Sequence, residues 1–160
     1  MLENKRLFGY AAAMLVTWVT LFVATAAADQ LSGTWKMNPE KSKYSPGPAP
    51  QSLTVVVESD NDNYKIDATG IGGDGTSTHA QFSAKFDGKD YPATGLTNAD
   101  TVSVKRVNAN TVETSQKKDG KVVMTITTTV AKDGKTRTST YRGKNAQGKD
   151  VYNVVVFDKQ

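Results

Sequence analysis

The sequence predicts an all-β domain, and the favoured architecture is an antiparallel up-and-down barrel of about eight to ten strands. Apolar and polar residues alternate over short segments throughout the chain after residue 30, which is typical of half-buried strands. Asp-Gly or Asn-rich turn sequences separate these segments, and no stretch between them has helical periodicity. Tight hairpins between consecutive strands favour a closed barrel, because closure leaves no unpaired edge. A β-sandwich is the alternative.

The first 28 residues have the organisation of a secretory signal peptide. Lys5 and Arg6 form a basic start, and a largely apolar run then leads to three alanines that end at Ala28. This order predicts cleavage between Ala28 and Asp29, which leaves residues 29–160 as one domain with no stable membrane span. The mature protein is therefore expected in the periplasm or outside the cell. An uncleaved anchor is the alternative, because the apolar run is just long enough to cross a bilayer.

The composition excludes several classes of protein. The chain has no cysteine, so disulfides and thiolate chemistry are excluded, and its single histidine, His79, rules out the usual zinc ligand sets. An exported domain without disulfides fits a bacterial envelope. The net charge of +4 comes from lysines scattered through turns, so nucleic acid is not an expected partner. After removal of the leader, the chain is still long enough for one hydrophobic core.

The turn sequences delimit the strands in order. The first strand is predicted at 31–37, and a fixed, extended loop follows at 38–50. That loop holds four of the five prolines, which exclude a helix there. The alternation in a later strand, at 121–130, predicts that Val122 shares an inner face with Met124, Ile126 and Val130. The remaining strands are predicted at 52–58, 64–68, 80–86, 90–93, 101–107, 111–117, 135–142 and 150–157.

Gly33-Thr34-Trp35-Lys36 in the first strand resembles the Gly-x-Trp opening of lipocalins and of intracellular fatty-acid-binding proteins, the calycin-type barrels. The resemblance extends to length and strand count, and it implies a lipocalin-like barrel that binds apolar ligands. It also implies structural roles for Gly33 and Trp35, with the tryptophan closing one end. The proline loop stands where fatty-acid-binding proteins place a helical lid near the mouth. Their carboxylate-gripping Arg-x-Tyr is absent, because Tyr141 and Arg142 are adjacent and point to opposite faces. The first strand and its loop also resemble small exported bacterial proteins of unknown function.

The candidate functional site is a pocket inside the barrel, since small-molecule sites are mostly apolar with a few polar groups that fix orientation. A solid core is the alternative, because the many small Ala and Thr side chains can pack without leaving space. The residues predicted to line the pocket are Phe82, Phe86, Val102, Val104, Arg106, Met124, Ile126, Arg137 and Tyr141.

No catalytic or cofactor-binding constellation is evident in the sequence. His79 lies on the polar side of its strand, and no Gly-x-Ser-x-Gly elbow is present. The glycine-rich segment 70–75 matches Gly-x-Gly-x-x-Gly, but a strand follows it where a dinucleotide site needs a helix. We therefore expect no cofactor and no metal. The first functional hypothesis is an exported, non-catalytic carrier of a small, largely apolar ligand. The alternatives are an envelope structural or interaction protein with a filled core, and an enzyme that uses the barrel mouth.

Overall fold

The computed structural model describes residues 29–160, so the predicted signal peptide lies outside the described residues. Ten antiparallel strands close into one barrel, which confirms the predicted all-β class and the up-and-down barrel. No helix within residues 29–160 is long and apolar enough to cross a membrane. The strands are β1 (Gly33–Met37), β2 (Ser52–Ser59), β3 (Asn63–Ile71), β4 (Ser77–Lys85), β5 (Asp87–Thr94), β6 (Thr101–Asn108), β7 (Thr111–Lys118), β8 (Lys121–Val130), β9 (Thr136–Lys144) and β10 (Asp150–Lys159).

Strands that are consecutive in sequence are neighbours in the barrel, and β1 closes it by pairing with β10. Trp35 lies opposite Lys159 in that ladder, and Met37 lies opposite Phe157. We call the end that carries the N-terminal residues 29–32 the lower end and the opposite end the mouth. The connections at the mouth are 38–51, 72–76, 95–100, 119–120 and 145–149.

The half of the barrel next to the lower end is solidly packed. Trp35 and Phe157 are fully buried there, and the indole N–H of Trp35 donates a hydrogen bond to the Leu31 carbonyl at 3.1 Å. The Lys159 ammonium lies 4.9 Å from the centre of the indole ring, and the Lys159 side chain also covers Gly33. Large apolar side chains from opposite strands therefore fill this half, and little room is left for a ligand near Trp35.

A bulge in β8 changes which residues point inward. The register against β7 shifts between Gln116 and Lys117, so that Met124 and Val122 lie opposite consecutive residues of β7. Because side chains alternate with a period of two, one extra residue sends those beyond it to the other face. Val122 is 56% exposed, so the prediction that it shares the inner face of β8 is wrong.

The proline segment 38–51 forms part of the wall at the mouth. Lys43 exchanges two backbone hydrogen bonds with Val154 of β10, at 2.7 and 2.8 Å, and the Tyr152 N–H donates to the Ser45 carbonyl at 2.7 Å. Through these bonds the segment pairs with the part of β10 nearer the mouth, beyond the point where β1 ends. The segment then crosses to the β3–β4 hairpin, where the Gln51 N–H donates to the Ile71 carbonyl at 2.9 Å. This extended, anchored path agrees with the prediction for the loop.

Candidate functional site

A cavity of about 180 Å³ lies inside the barrel, between the solid lower half and the mouth. Its size is comparable to the roughly 150 Å³ of an engineered protein cavity that admits benzene. Apolar side chains make up most of its wall, with a few hydroxyls, one amide and one guanidinium between them. The lining residues are Leu53, Val55, Tyr64, Ile66, Ala68, Ala80, Phe82, Leu96, Thr114, Gln116, Ile126, Thr128, Arg137 and Tyr141.

The structure brings four of the nine predicted site residues together at this cavity: Phe82, Ile126, Arg137 and Tyr141. The other five lie elsewhere. Val102 and Val104 are fully buried in the core, and Phe86 packs against that core. Arg106 contacts residues at the lower end, and Met124 borders a surface depression at the mouth. Alternation identifies the inward face of a strand, but it does not give the height of a residue along the barrel axis.

Ten lining residues were not among the predicted site residues. The signal for some of them was present, because Tyr64, Ile66 and Ala68 alternate in β3 just as the predicted residues do in their own strands. The polar members Thr114, Gln116 and Thr128 carry no such signal. Leu96 lies in the connection between β5 and β6, where strand periodicity does not apply.

The bottom of the cavity is formed by Arg137 and Tyr64. Arg137 is 6% exposed, and its Nη2 makes a long hydrogen bond of 3.5 Å to the Tyr64 hydroxyl. The guanidinium carbon lies 5.2 Å from the centre of the Phe157 ring. Its Nη1 is buried and has no hydrogen-bond partner among residues 29–160. A buried polar group normally has a partner, so this nitrogen is unusual.

Two tyrosines lie nearer the mouth. Burial raises the pKa of the Tyr141 hydroxyl above its usual range, and this effect outweighs the opposite influence of the Arg137 guanidinium. Burial, together with the neighbouring Tyr141, raises the pKa of Tyr44 to about 12. The Tyr44 hydroxyl lies 3.0 Å from the sulfur of Met37. Both phenols are therefore neutral at pH 7, and the proline segment contributes Tyr44 to the region beside the cavity.

The second inward arginine, Arg106, is occupied by contacts at the lower end. Its guanidinium forms an ion pair with Asp29, donates to Ser59 Oγ at 3.0 Å and lies 4.2 Å from the centre of the Phe86 ring. Burial alone would raise the pKa of Asp29. Hydrogen bonds from Arg106, the Leu31 N–H and the Ser59 hydroxyl reverse that effect and hold the pKa below its usual range. The cluster closes the lower end, so Arg106 does not reach the cavity.

No histidine, aspartate or glutamate side chain lines the cavity within residues 29–160. His79 lies on the outside of the barrel, more than half exposed, with its Nε2 3.2 Å from the Asp67 carboxylate. Across the described range, no group of three or more histidine, aspartate or glutamate side chains is arranged to hold a metal ion. The arrangement at the cavity is suited to binding: an apolar wall, hydrogen-bonding hydroxyls and one buried cation.

No protein-family model matches the chain, and a comparison with curated proteins finds no match either.

Proposed function

We propose that the protein binds and carries a small, largely apolar molecule in the barrel cavity, without catalysing a reaction. The observation that carries this proposal is the cavity itself: about 180 Å³ of space above a closely packed lower half. Pockets for drug-sized ligands are larger, roughly 300–1,000 Å³. The ligand is accordingly a compact molecule with about one ring or a short chain.

The energetic cost of the space favours a carrier over a protein with a filled core. Unfilled space beside buried side chains costs stability, because those side chains lose packing contacts on one side. Ala68 and Ala80 lie opposite each other in the β3–β4 ladder, and both face the cavity. Larger apolar side chains at this pair would occupy the space. Small residues at a place where larger ones would stabilise the barrel support a role for the space itself.

Titration with a series of apolar compounds of increasing size tests the proposal. We expect benzene, toluene and ethylbenzene to shift the amide resonances of cavity residues in ¹H–¹⁵N spectra of the mature protein, residues 29–160. A long-chain compound such as hexadecane is expected to cause no such shifts, because the cavity is too small for it. If no compound of the series shifts these resonances at its solubility limit, the carrier proposal fails and the filled-core alternative is favoured.

We further propose that the carrier acts after export to the periplasm or beyond. The support is the order of basic, apolar and small residues that ends at Ala28. Expression of the full chain in a bacterium, followed by N-terminal sequencing of the periplasmic fraction, tests this. The expected product begins at Asp29. A product that keeps residues 1–28 and sediments with membranes would favour the uncleaved anchor.

A further inference from the structure

We propose that the ligand carries a carboxylate and that the Arg137 guanidinium, at the bottom of the cavity, is the group that binds it. The inference depends on the proposed carrier function and adds the chemical class of the ligand. That class is a compact organic monoanion with an apolar body of about one ring or a short chain.

Arg137 has no counter-charge among residues 29–160. None of the fourteen lining residues is an aspartate or a glutamate. Seven ion pairs occur among residues 29–160, and Arg137 belongs to none of them. Arginine keeps its charge in proteins, and burial of an unpaired charge is costly. An anion that enters with the ligand would supply the missing partner.

Arg106, on β6, provides an internal comparison with Arg137 on β9. It also points inward, and one of its nitrogens, Nε, is likewise buried without a partner. Its charge, however, is neutralised by Asp29, and its Nη2 donates hydrogen bonds to Ser59 and to the Asp60 carbonyl. The fold therefore accounts for the charge of Arg106. Among residues 29–160, Arg137 has only the long hydrogen bond to Tyr64 and the face of the Phe157 ring as polar or cation–π contacts.

The geometry at the bottom of the cavity suits a carboxylate. Arg137 is the second residue of β9 and Tyr64 is the second residue of β3, so both side chains enter near the lower end. The Tyr64 ring is held between Phe82 and Phe86, with ring centres 6.1 and 5.4 Å away. A guanidinium nitrogen and a fixed phenol hydroxyl thus converge on the same end of the space. Guanidinium groups bind carboxylates through paired, charge-assisted hydrogen bonds.

The position of Arg137 also sets the orientation of the ligand. The wall between the bottom and the mouth is mostly apolar, with Ile66, Phe82 and Ile126 among its residues. A ligand with its carboxylate on Arg137 therefore has its apolar body against these side chains and directed toward the mouth. It must enter with the charged group first, past Leu96 and the rim of the mouth.

Two probes of similar size and different charge test the inference: benzoate and benzyl alcohol at pH 7, measured by calorimetric titration and by ¹H–¹⁵N spectra. We expect wild-type protein to bind benzoate at least about tenfold more tightly than benzyl alcohol, because hydrogen bonds to charged groups are the stronger ones. Equal or tighter binding of benzyl alcohol overturns the inference and leaves the carrier proposal in place. If the apolar series binds but neither benzoate nor benzyl alcohol does, the inference is also overturned. If none of these compounds binds, both the inference and the carrier proposal fail.

Variants locate the effect on β9. We expect the Arg137→Met variant to lose the preference for benzoate. The same variant should bind benzyl alcohol as tightly as wild type does. Arg142→Gln is the matched control on the same strand, because Arg142 is exposed and lies 5.2 Å from the Tyr152 ring on the outer surface. It should bind both probes as wild type does.

Unfolding by urea without ligand separates binding from structure: Arg137→Met should be at least as stable as wild type, because it removes an unpaired buried charge. A large loss of stability together with an unchanged benzoate preference would assign Arg137 a purely structural role. If this variant does not fold, the comparison of the two probes on wild-type protein still decides the inference.

Discussion

Ala80 and Ala84 both point into the barrel from β4, and substitution by leucine is predicted to have opposite effects at the two positions. Ala80 lines the cavity, whereas Ala84 is 3% exposed and lies in the packed core. A leucine at either position adds three carbons to the interior. In Ala80→Leu these carbons enter existing space, and in Ala84→Leu they have none. Because the strand and the residue types are the same, differences in strand propensity largely cancel.

The expected magnitudes follow from burial and overpacking. Three additional buried carbons contribute at most about 2.4 kcal/mol at roughly 0.8 kcal/mol each. Fixing the leucine side chain costs about 0.5–1 kcal/mol, so Ala80→Leu is expected to raise the free energy of unfolding by about 1–2 kcal/mol. Extra carbons in a packed core instead cost about 1–3 kcal/mol, so Ala84→Leu should be less stable than wild type.

Urea unfolding of a protein that consists of residues 29–160 measures both effects through the transition midpoint, provided that the slope of the transition is unchanged. A binding measurement with toluene accompanies it, and Ala80→Leu is expected to lose affinity because the leucine occupies the same space as the ligand. Equal destabilisation by the two substitutions would refute the reasoning, since it would mean that the space beside Ala80 does not accept a side chain. A stabilised Ala80→Leu that still binds toluene as wild type does would place the ligand elsewhere.

Three further predictions concern the frame around the cavity. Trp35→Ala should lower the free energy of unfolding by about 3–5 kcal/mol in urea, because the indole is fully buried; a loss below 1 kcal/mol would contradict its role in the core. Gly143→Ala should lower the free energy of unfolding by about 1–3 kcal/mol or prevent folding, since its new Cβ would stand 2.1 Å from the Val123 carbonyl oxygen. Gly120→Ala is the control, because its Cβ meets nothing within 4 Å. It should lower the free energy of unfolding by about 1 kcal/mol, from the left-handed backbone alone. For Asp29, a folded pKa below the usual 3.8 means that the carboxylate stabilises the fold above pH 4 and loses this effect as the pH falls through the folded value. Asp29→Asn should therefore be less stable at pH 7, and its urea midpoint should fall less between pH 4 and pH 2.5; parallel pH profiles would contradict the ion pair with Arg106.

The strands could be predicted because their signals are local. Alternation and Asp-Gly turns act within a few residues, and each strand of the barrel overlaps the predicted one. Val122 shows where local reasoning fails, because the bulge that turns it outward depends on how β8 pairs with β7. Met124 and Ile126 show a second limit. Both point inward in the alternation, but only Ile126 lines the cavity, and Met124 borders a depression at the mouth. Which inward side chains border open space depends on how all ten strands pack together, and no single segment encodes that.

The two inward arginines show which part of the site the sequence leaves open. Arg106 and Arg137 are equivalent in the pattern of their strands, and both were predicted to line the pocket. The partner of Arg106 is Asp29, 77 positions away in the chain and outside every strand, so alternation offers no means of pairing them. Arg106 therefore contributes to closing the lower end, where Asp29 neutralises its charge. Arg137 is then a buried charge without an acidic partner among residues 29–160, and it lies at the bottom of the space that small side chains keep open. A site for a small anion requires both an unfilled volume and an uncompensated charge within it. A core packed only for stability would retain neither.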